Sequence, residues 1–233
     1  MNELEIVYRD KDLIAINKPH GLLVHRSYIA SDVSEFAIQK LRDQIGEVVY
    51  LTHRLDRKTG GVLLFALNQN CNILMQKQFA NQEVQKVYWA VVRGFTPNEG
   101  IIDYALINEK GKTQDAITEY VTLQQSEVDF AIGKHPSSRY SLVKVVPKTG
   151  RMHQIRKHFA HIFHPILADR PHGCNKQNRY YKQIFGLDTM LLHAQQISFL
   201  HPITQQKIII KANVQSPFKE FAHQLGFLNL PKD

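Results

Sequence analysis

The densest run of chemically capable side chains is His53-Arg54-Leu55-Asp56-Arg57-Lys58-Thr59-Gly60-Gly61. It lies between the apolar runs Val48–Leu51 and Val62–Leu67, so a strand, a loop and a second strand should display it. A carboxylate with Arg54 and Arg57 as sequence neighbours is held ionised by their charge. That suits a nucleophile or a general base and does not suit a general acid. The same residues also fit an Arg–Asp bridged turn closed by Gly60 and Gly61, and residue chemistry alone leaves both readings open. A second group, His153, His158, His161 and His164, is spaced so that a helix could bring two imidazoles together on a metal. Arg151, Arg156 and Lys157 would repel a dication there, and no carboxylate or thiolate lies between Phe130 and Ala168 to offset them, so no metal is expected. A third segment, Arg170–Gly186, interleaves Arg170, Lys176, Arg179 and Lys182 with Tyr180, Tyr181 and Phe185 and contains no acid. Basic and stacking side chains in one polar stretch read as an RNA-contacting loop or as a plain basic loop.

Elements that could position these groups follow from the apolar periodicity. Strand-like runs occur at Leu4–Tyr8, Leu13–Asn17, Val48–Leu51, Gly61–Leu67, Lys86–Arg93, Ile117–Leu123, Tyr140–Val146, Met190–Leu200 and Lys207–Ala212. Helical spacing appears at Val33–Ile45, where Asp32 and Glu35 are placed as a capping pair and Gly46 as a stop, and again at Asn70–Phe79, His153–Phe163 and Pro217–Leu225. Strands arrive in runs without a helix between each pair, and no glycine-rich dinucleotide or Walker pattern occurs. An α+β fold with a mostly antiparallel sheet is therefore expected, and a doubly wound nucleotide-binding sheet is not. No linker, repeat or low-complexity stretch divides the chain, so one continuous domain over residues 1–233 is the simplest reading.

Composition narrows the setting. Cys71 and Cys174 are the only cysteines, far apart, which argues against a disulfide framework and for a reducing cytoplasm. The acidic start MNELEIVYRDKDL lacks the basic and apolar regions of a signal peptide, and no apolar run approaches the ~20 residues of a membrane span. The net charge of +8 is unevenly spread: between Phe130 and Lys219 stand 14 Lys and Arg against two acids, Asp169 and Asp188, or +12, which leaves −4 for the remainder. A nucleic-acid backbone is the commonest partner for such segregation, and a solubilising excess is the plainer one.

Four ordered motifs resemble those of the RluA-type pseudouridine synthases. His53-Arg54-Leu55-Asp56-Arg57-x-Thr-x-Gly is similar to that family's catalytic motif, with Gly60 where the family usually has Ser. Asn17-Lys18-Pro19-His20-Gly21-Leu22-Leu23-Val24-His25, Lys86-Val87-Tyr88-Trp89-Ala90-Val91-Val92-Arg93-Gly94 and Thr149-Gly150-Arg151-Met152-His153-Gln154-Ile155-Arg156 agree in order and spacing. The family often carries an N-terminal RNA-binding S4 domain; this chain enters the first catalytic-domain strand at once, so only the catalytic domain is expected. Tyr140 with the preceding His135-Pro136-Ser137-Ser138-Arg139, the segment His158–Ile166, Asp169-x-x-His172-Gly173 and Asn178-Arg179 look most like a subgroup that modifies uridine 65 of certain tRNAs. The broader family usually reads GDxxYG where this chain has Ala168-Asp169-Arg170-Pro171-His172-Gly173.

The resemblance implies a cofactor-free isomerisation in which the uracil C1′–N1 bond is cut, the base turns in place and a C1′–C5 bond forms. Asp56 would be essential, as nucleophile or as base. Arg54 would enter the stack vacated by the flipped nucleotide, because a planar guanidinium stacks and hydrogen-bonds together. Tyr88 would stack on the flipped base and carry a late proton. Arg156 would pair with Asp56, and Leu192 would form an apolar wall for the uracil or serve as plain core. Arg179 and Lys182 would meet phosphate. The expected partner is tRNA, with no membrane, no obligatory protein partner and a monomeric, cytoplasmic protein. Ribosomal RNA as substrate and a non-catalytic RNA-binding module are the alternatives; a metal-dependent hydrolase built on the histidines lacks acidic ligands.

Overall fold

The computed structural model describes residues 3–25, 35–132, 136–227 and 230. They form two compact units, one made of Met1–Lys86 with Ala194–Val214 and the other of Val87–His193 with Gln215–Asp233. Both mix helices and strands, and the strand ladders within each are antiparallel, as the runs of strands without intervening helices lead one to expect.

The first unit begins with β1 (Ile6–Arg9), β2 (Leu13–Lys18), α1 (Ala37–Ile45), β3 (Tyr50–Leu51), β4 (Gly60–Ala66) and α2 (Gln69–Ala80). Strand β2 pairs with β1 and with β4, and β3 pairs with β4. Every residue of β2 and β4 is buried, which is why Leu13–Asn17 and Gly61–Leu67 read as continuous apolar runs and not as alternations. Helix α1 ends at Gly46 as expected, with φ 69 and its amide on Arg42 O. Its start differs: Phe36 is the N-cap without a side-chain bond, Glu35 pairs with Lys40 at 3.0 Å, and Asp32 lies outside the described residues. Helix α2 is capped by Asn68, whose side chain accepts from Cys71 N at 2.9 Å.

Strand β5 (Gln85–Arg93) starts in the first unit and runs on into the second. There follow β6 (Glu99–Asp103), β7 (Leu106–Ile107), β8 (Thr113–Gln114), β9 (Ile117–Val128), β10 (Ser138–Pro147), α3 (Gln154–His161) and α4 (Asn175–Phe185). Strand β11 (Leu192–Leu200) leads back to the first unit, β12 (Lys207–Lys211) pairs with it, and α5 (Ser216–Gln224) belongs to the second. Within the second unit β10 lies between β5 and β9, and β6 pairs with the far side of β9. Among the described residues no helix is long and apolar enough to cross a membrane.

Each unit has its own core. In the first, Leu13 and Ala15 of β2, Val62 and Leu64 of β4, Cys71 and Met75 of α2, Ile197 and Phe199 of β11, and Ile210 of β12 pack together. In the second, Ile155 and Phe159 of α3 cover Ala90 and Val92 of β5 and Val143 and Val145 of β10, joined by Leu192. A further aromatic group fills the space under α4: Tyr181 stands 5.4 Å from Phe221, 6.1 Å from Tyr140 and 6.2 Å from Phe185, and Phe185 is 4.9 Å from Phe130.

Candidate active site

The loop between β3 and β4 carries His53–Thr59, and Gly60 and Gly61 open β4, close to what the flanking apolar runs predict. It is stitched to β4 from one end, where Thr52 Oγ1 donates to Leu64 O at 2.7 Å and Leu64 N donates to His53 Nε2 at 3.0 Å. His53 is half-buried and its ring stacks on Phe79 at 4.8 Å. Burial and the nearby Lys86 charge pull its pKa down to about 3, against a backbone bond at Arg54 that acts the other way, so the first residue of the motif is a neutral anchor.

The other end of the loop rests on the turn after β2. Gly21 N donates to Arg57 O at 2.9 Å and Arg57 Nε returns a bond to Gly21 O at 3.0 Å. The turn closes on itself through Thr59 N and Asp56 O at 3.0 Å. Lys18 reaches in from the end of β2 with no exposed surface, and its Nζ donates to Pro19 O and Leu22 O at 2.9 Å and to Arg57 O at 3.1 Å. Burial brings its pKa down to about 7, while the Asp56 carboxylate pulls in the opposite direction. Asp56 is half-buried on this framework, and Arg54 is exposed beside it. Arg57, one of the two expected neighbours of Asp56 in a bridged turn, spends its Nε on Gly21 O.

His20 explains the glycine at position 60. Its Nδ1 meets Lys58 O at 2.9 Å, and a Cβ built on Gly60 would lie 2.5 Å from its Nε2. The imidazole therefore occupies the space that a side chain at 60 would need. Burial holds this ring neutral, with a pKa of about 4. Gly61, at φ 106, has no room either, because a Cβ there would stand 2.2 Å from Ala194 O.

In the second unit, Tyr88 sits half-buried on β5 opposite Val145 and packs against the core that includes Leu192 and Ile155. Leu192 is 3% exposed and belongs to that core. Arg156, one residue past Ile155 on α3, is buried, and its Nε and Nη2 form a bidentate pair with Asp169 at 2.8 and 2.7 Å. Asp169 also accepts from His172 N at 3.4 Å, while Asn178 Nδ2 donates to Asp169 O and Asn178 Oδ1 accepts from Ala168 N. The Ala168–Gly173 segment thus serves to lock a guanidinium in place, a role the sequence reading did not assign to Asp169. Its signal was Asp169 itself, one of two acids in a stretch of 14 cations.

Two expectations need correction. The segment Arg170–Gly186 is not an open loop: Asn175–Phe185 form helix α4, closed by Gly186 at φ 68. Tyr181 and Phe185 point into the aromatic core and do not interleave with the cations, whereas Lys176, Arg179 and Lys182 share the exposed face. The histidines of α3 diverge. His153, expected inside the helix, is its N-cap at φ 55 and meets His172 at 3.0 Å; His158 Nε2 lies on Tyr104 O, His161 stacks on Tyr104, and His164 Nδ1 lies on Arg93 O. Among the described residues no group of three or more histidines, cysteines or acids could hold a metal ion.

Residues 12–161 match the RNA pseudouridylate synthase family. The chain belongs to that family. The human RNA pseudouridylate synthase domain containing 4 has a similar structure, with a TM-score of 0.71 and 25% identity over 95% of this chain and 93% of that one. Among curated relatives, tRNA pseudouridine synthase C of Pasteurella multocida (strain Pm70) is 48% identical over 91% of each chain. The protein of the same name from Vibrio vulnificus (strain CMCP6) is 44% identical over 93% of each.

Proposed function

We propose that the chain isomerises a uridine of tRNA, at position 65, to pseudouridine, acting as a monomeric catalytic domain without a protein partner. The observation that carries this reading is the similarity to proteins named tRNA pseudouridine synthase C over more than nine-tenths of both chains. The reaction conserves atoms: the C1′–N1 bond breaks, C1′–C5 forms, and the C5 proton is given up as N1 gains one. It needs no redox step.

Asp56 is the essential group, as nucleophile or base. A fixed loop supports this role, since Lys18, Gly21 and His20 hold its backbone and Leu64 N holds its His53 ring, which leaves little reorganisation for the chemical step. Exposed Arg54 takes the place of the flipped nucleotide, whose unstacking costs a few kcal/mol. Tyr88 stacks on the uracil and carries a proton, Arg156 acts as a further catalytic residue, and Leu192 forms an apolar wall for the uracil. Arg179 and Lys182 on α4 meet phosphate.

Pseudouridine formed in purified tRNA and in deproteinised ribosomal RNA, read by mass spectrometry, tests the proposal. Wild type should act on uridine 65 of tRNA, and Asp56→Asn should lose activity by several orders of magnitude while keeping RNA affinity, because the amide preserves shape and removes the reacting carboxylate. Activity in Asp56→Asn sinks the catalytic assignment; modification of ribosomal RNA alone overturns the substrate.

A further inference from the structure

The end of α3 carries a side chain that the fold itself does not use. Phe163 follows the last helical turn with φ 63, and the end closes as Phe163 N donates to Ala160 O at 3.1 Å and His164 N to Phe159 O at 2.9 Å. This closure favours glycine, because a left-handed backbone crowds any Cβ and is least suited to a bulky ring. Phe163 is also 88% exposed, more than any other large apolar side chain among the described residues. An aromatic ring in water on an unfavourable backbone costs the free protein twice, and packing at this exposure returns little.

Its surroundings select a partner. His164, the next residue, places Nδ1 on Arg93 O at 2.8 Å, and Arg93 N donates to Pro165 O at 3.0 Å. Gly94 N donates to Arg139 O at 2.7 Å, and the Arg139 guanidinium lies over the Phe95 ring, 5.2 Å from its centroid. Arg93, Phe95 and Arg139 are exposed. Glu127 also reaches this surface, where Arg139 Nε donates to it at 3.1 Å and Ser137 Oγ donates as well. These contacts bring the Phe95 ring, the Arg139 guanidinium and the His164 imidazole onto the surface that adjoins the end of α3. A protein partner would need an apolar patch without this charge; a nucleic acid offers a base face beside phosphates, which rings and guanidinium groups meet together.

We propose that Phe163 stacks on a base of the bound RNA other than the reacting uridine, with Arg139, supported by Phe95, turned to an adjoining phosphate. The proposal rests on the RNA substrate proposed above, in which Tyr88 takes the reacting base. Phe163→Gly and Phe163→Trp in the full chain test it, with affinity for unmodified tRNA read by fluorescence anisotropy. The glycine variant suits the left-handed backbone, so it should melt no lower than wild type. It should bind tRNA more weakly by roughly 5- to 150-fold, the range for losing one base stack. Its salt slope should not change, because no charge is lost, whereas Arg139→Gln should lower that slope by about one. Phe163→Trp should bind like wild type, and kcat at saturating tRNA should be unaffected in both. Unchanged affinity in the glycine variant, or an equal loss in the tryptophan variant, overturns the proposal. So does a glycine variant that loses self-association and keeps its RNA affinity, since the ring would then be a contact between copies. A wild type that binds tRNA without isomerising it would defeat the functional reading and leave this comparison intact.

Discussion

Lys18 brings an ammonium into a place with no exposed surface, at the end of a strand whose other five residues are also buried. Three carbonyls and the Asp56 carboxylate offset part of the desolvation, and the arrangement makes the lysine a clamp beneath the Asp56 loop. The motif containing Lys18 was visible in the sequence, yet its role was not, because the acceptors are backbone atoms whose position depends on a turn 39 residues away. Asp56 was legible for the opposite reason: its neighbours in sequence are also its setting. The two histidines of this region add a pH dependence. His20 and His53 have pKa values of about 4 and about 3 in the folded chain, against 6.5 for an ordinary histidine. Above pH 6.5 both states are neutral and this part of the stability is fully present. Below it the unfolded chain binds protons that the folded chain refuses, so stability falls by about 1.4 kcal/mol per pH unit for each residue, until the folded pKa is reached. Urea midpoints measured from pH 7 to pH 4.5 should therefore drop, and the drop should be shallower in His53→Gln; parallel curves would count against the assignment.

At the level of elements, strands buried on both faces were readable because an unbroken apolar run has few alternatives, as β2 and β4 illustrate. Short strands such as β7 and β8, two residues each, carry no period to detect. Helix α4 was hidden differently: its apolar face is made of tyrosine and phenylalanine, which in a basic segment look like stacking groups until Phe221 and Tyr140 are seen beneath them. The junction of the β2 turn with β4 makes a prediction of its own. Gly60→Ser, which restores the residue usual in the family, should destabilise by about 1–3 kcal/mol, because its Cβ collides with the His20 ring. His20→Ala should relieve most of that cost in the double variant. A thermodynamic cycle of the four proteins measures the coupling, and additive effects would show that His20 yields without strain.

Across the whole molecule, charge is concentrated in sequence, with +12 between Phe130 and Lys219. Lys176, Arg179 and Lys182 turn part of it into a stripe on α4. RNA binding should weaken steeply with salt, and Arg179→Ala or Lys182→Ala should each lower the slope of log K against log salt by about one without altering site choice, since phosphate contacts position and do not read. A slope unchanged in both variants would remove α4 from the interface. The way the chain is divided between the units bears on its synthesis. Ile197, Phe199 and Ile210 complete the core begun by Leu13, Ala15, Val62 and Leu64, yet all of Val87–His193 is made between them. At about 5–20 residues per second, a nascent chain carries the first half of that core outside the ribosome for on the order of ten seconds before its covering strands exist. Through that interval the apolar side chains of β2 and β4 lack part of their cover, so the order of translation, and not only final stability, sets how long this core is open to aggregation during synthesis.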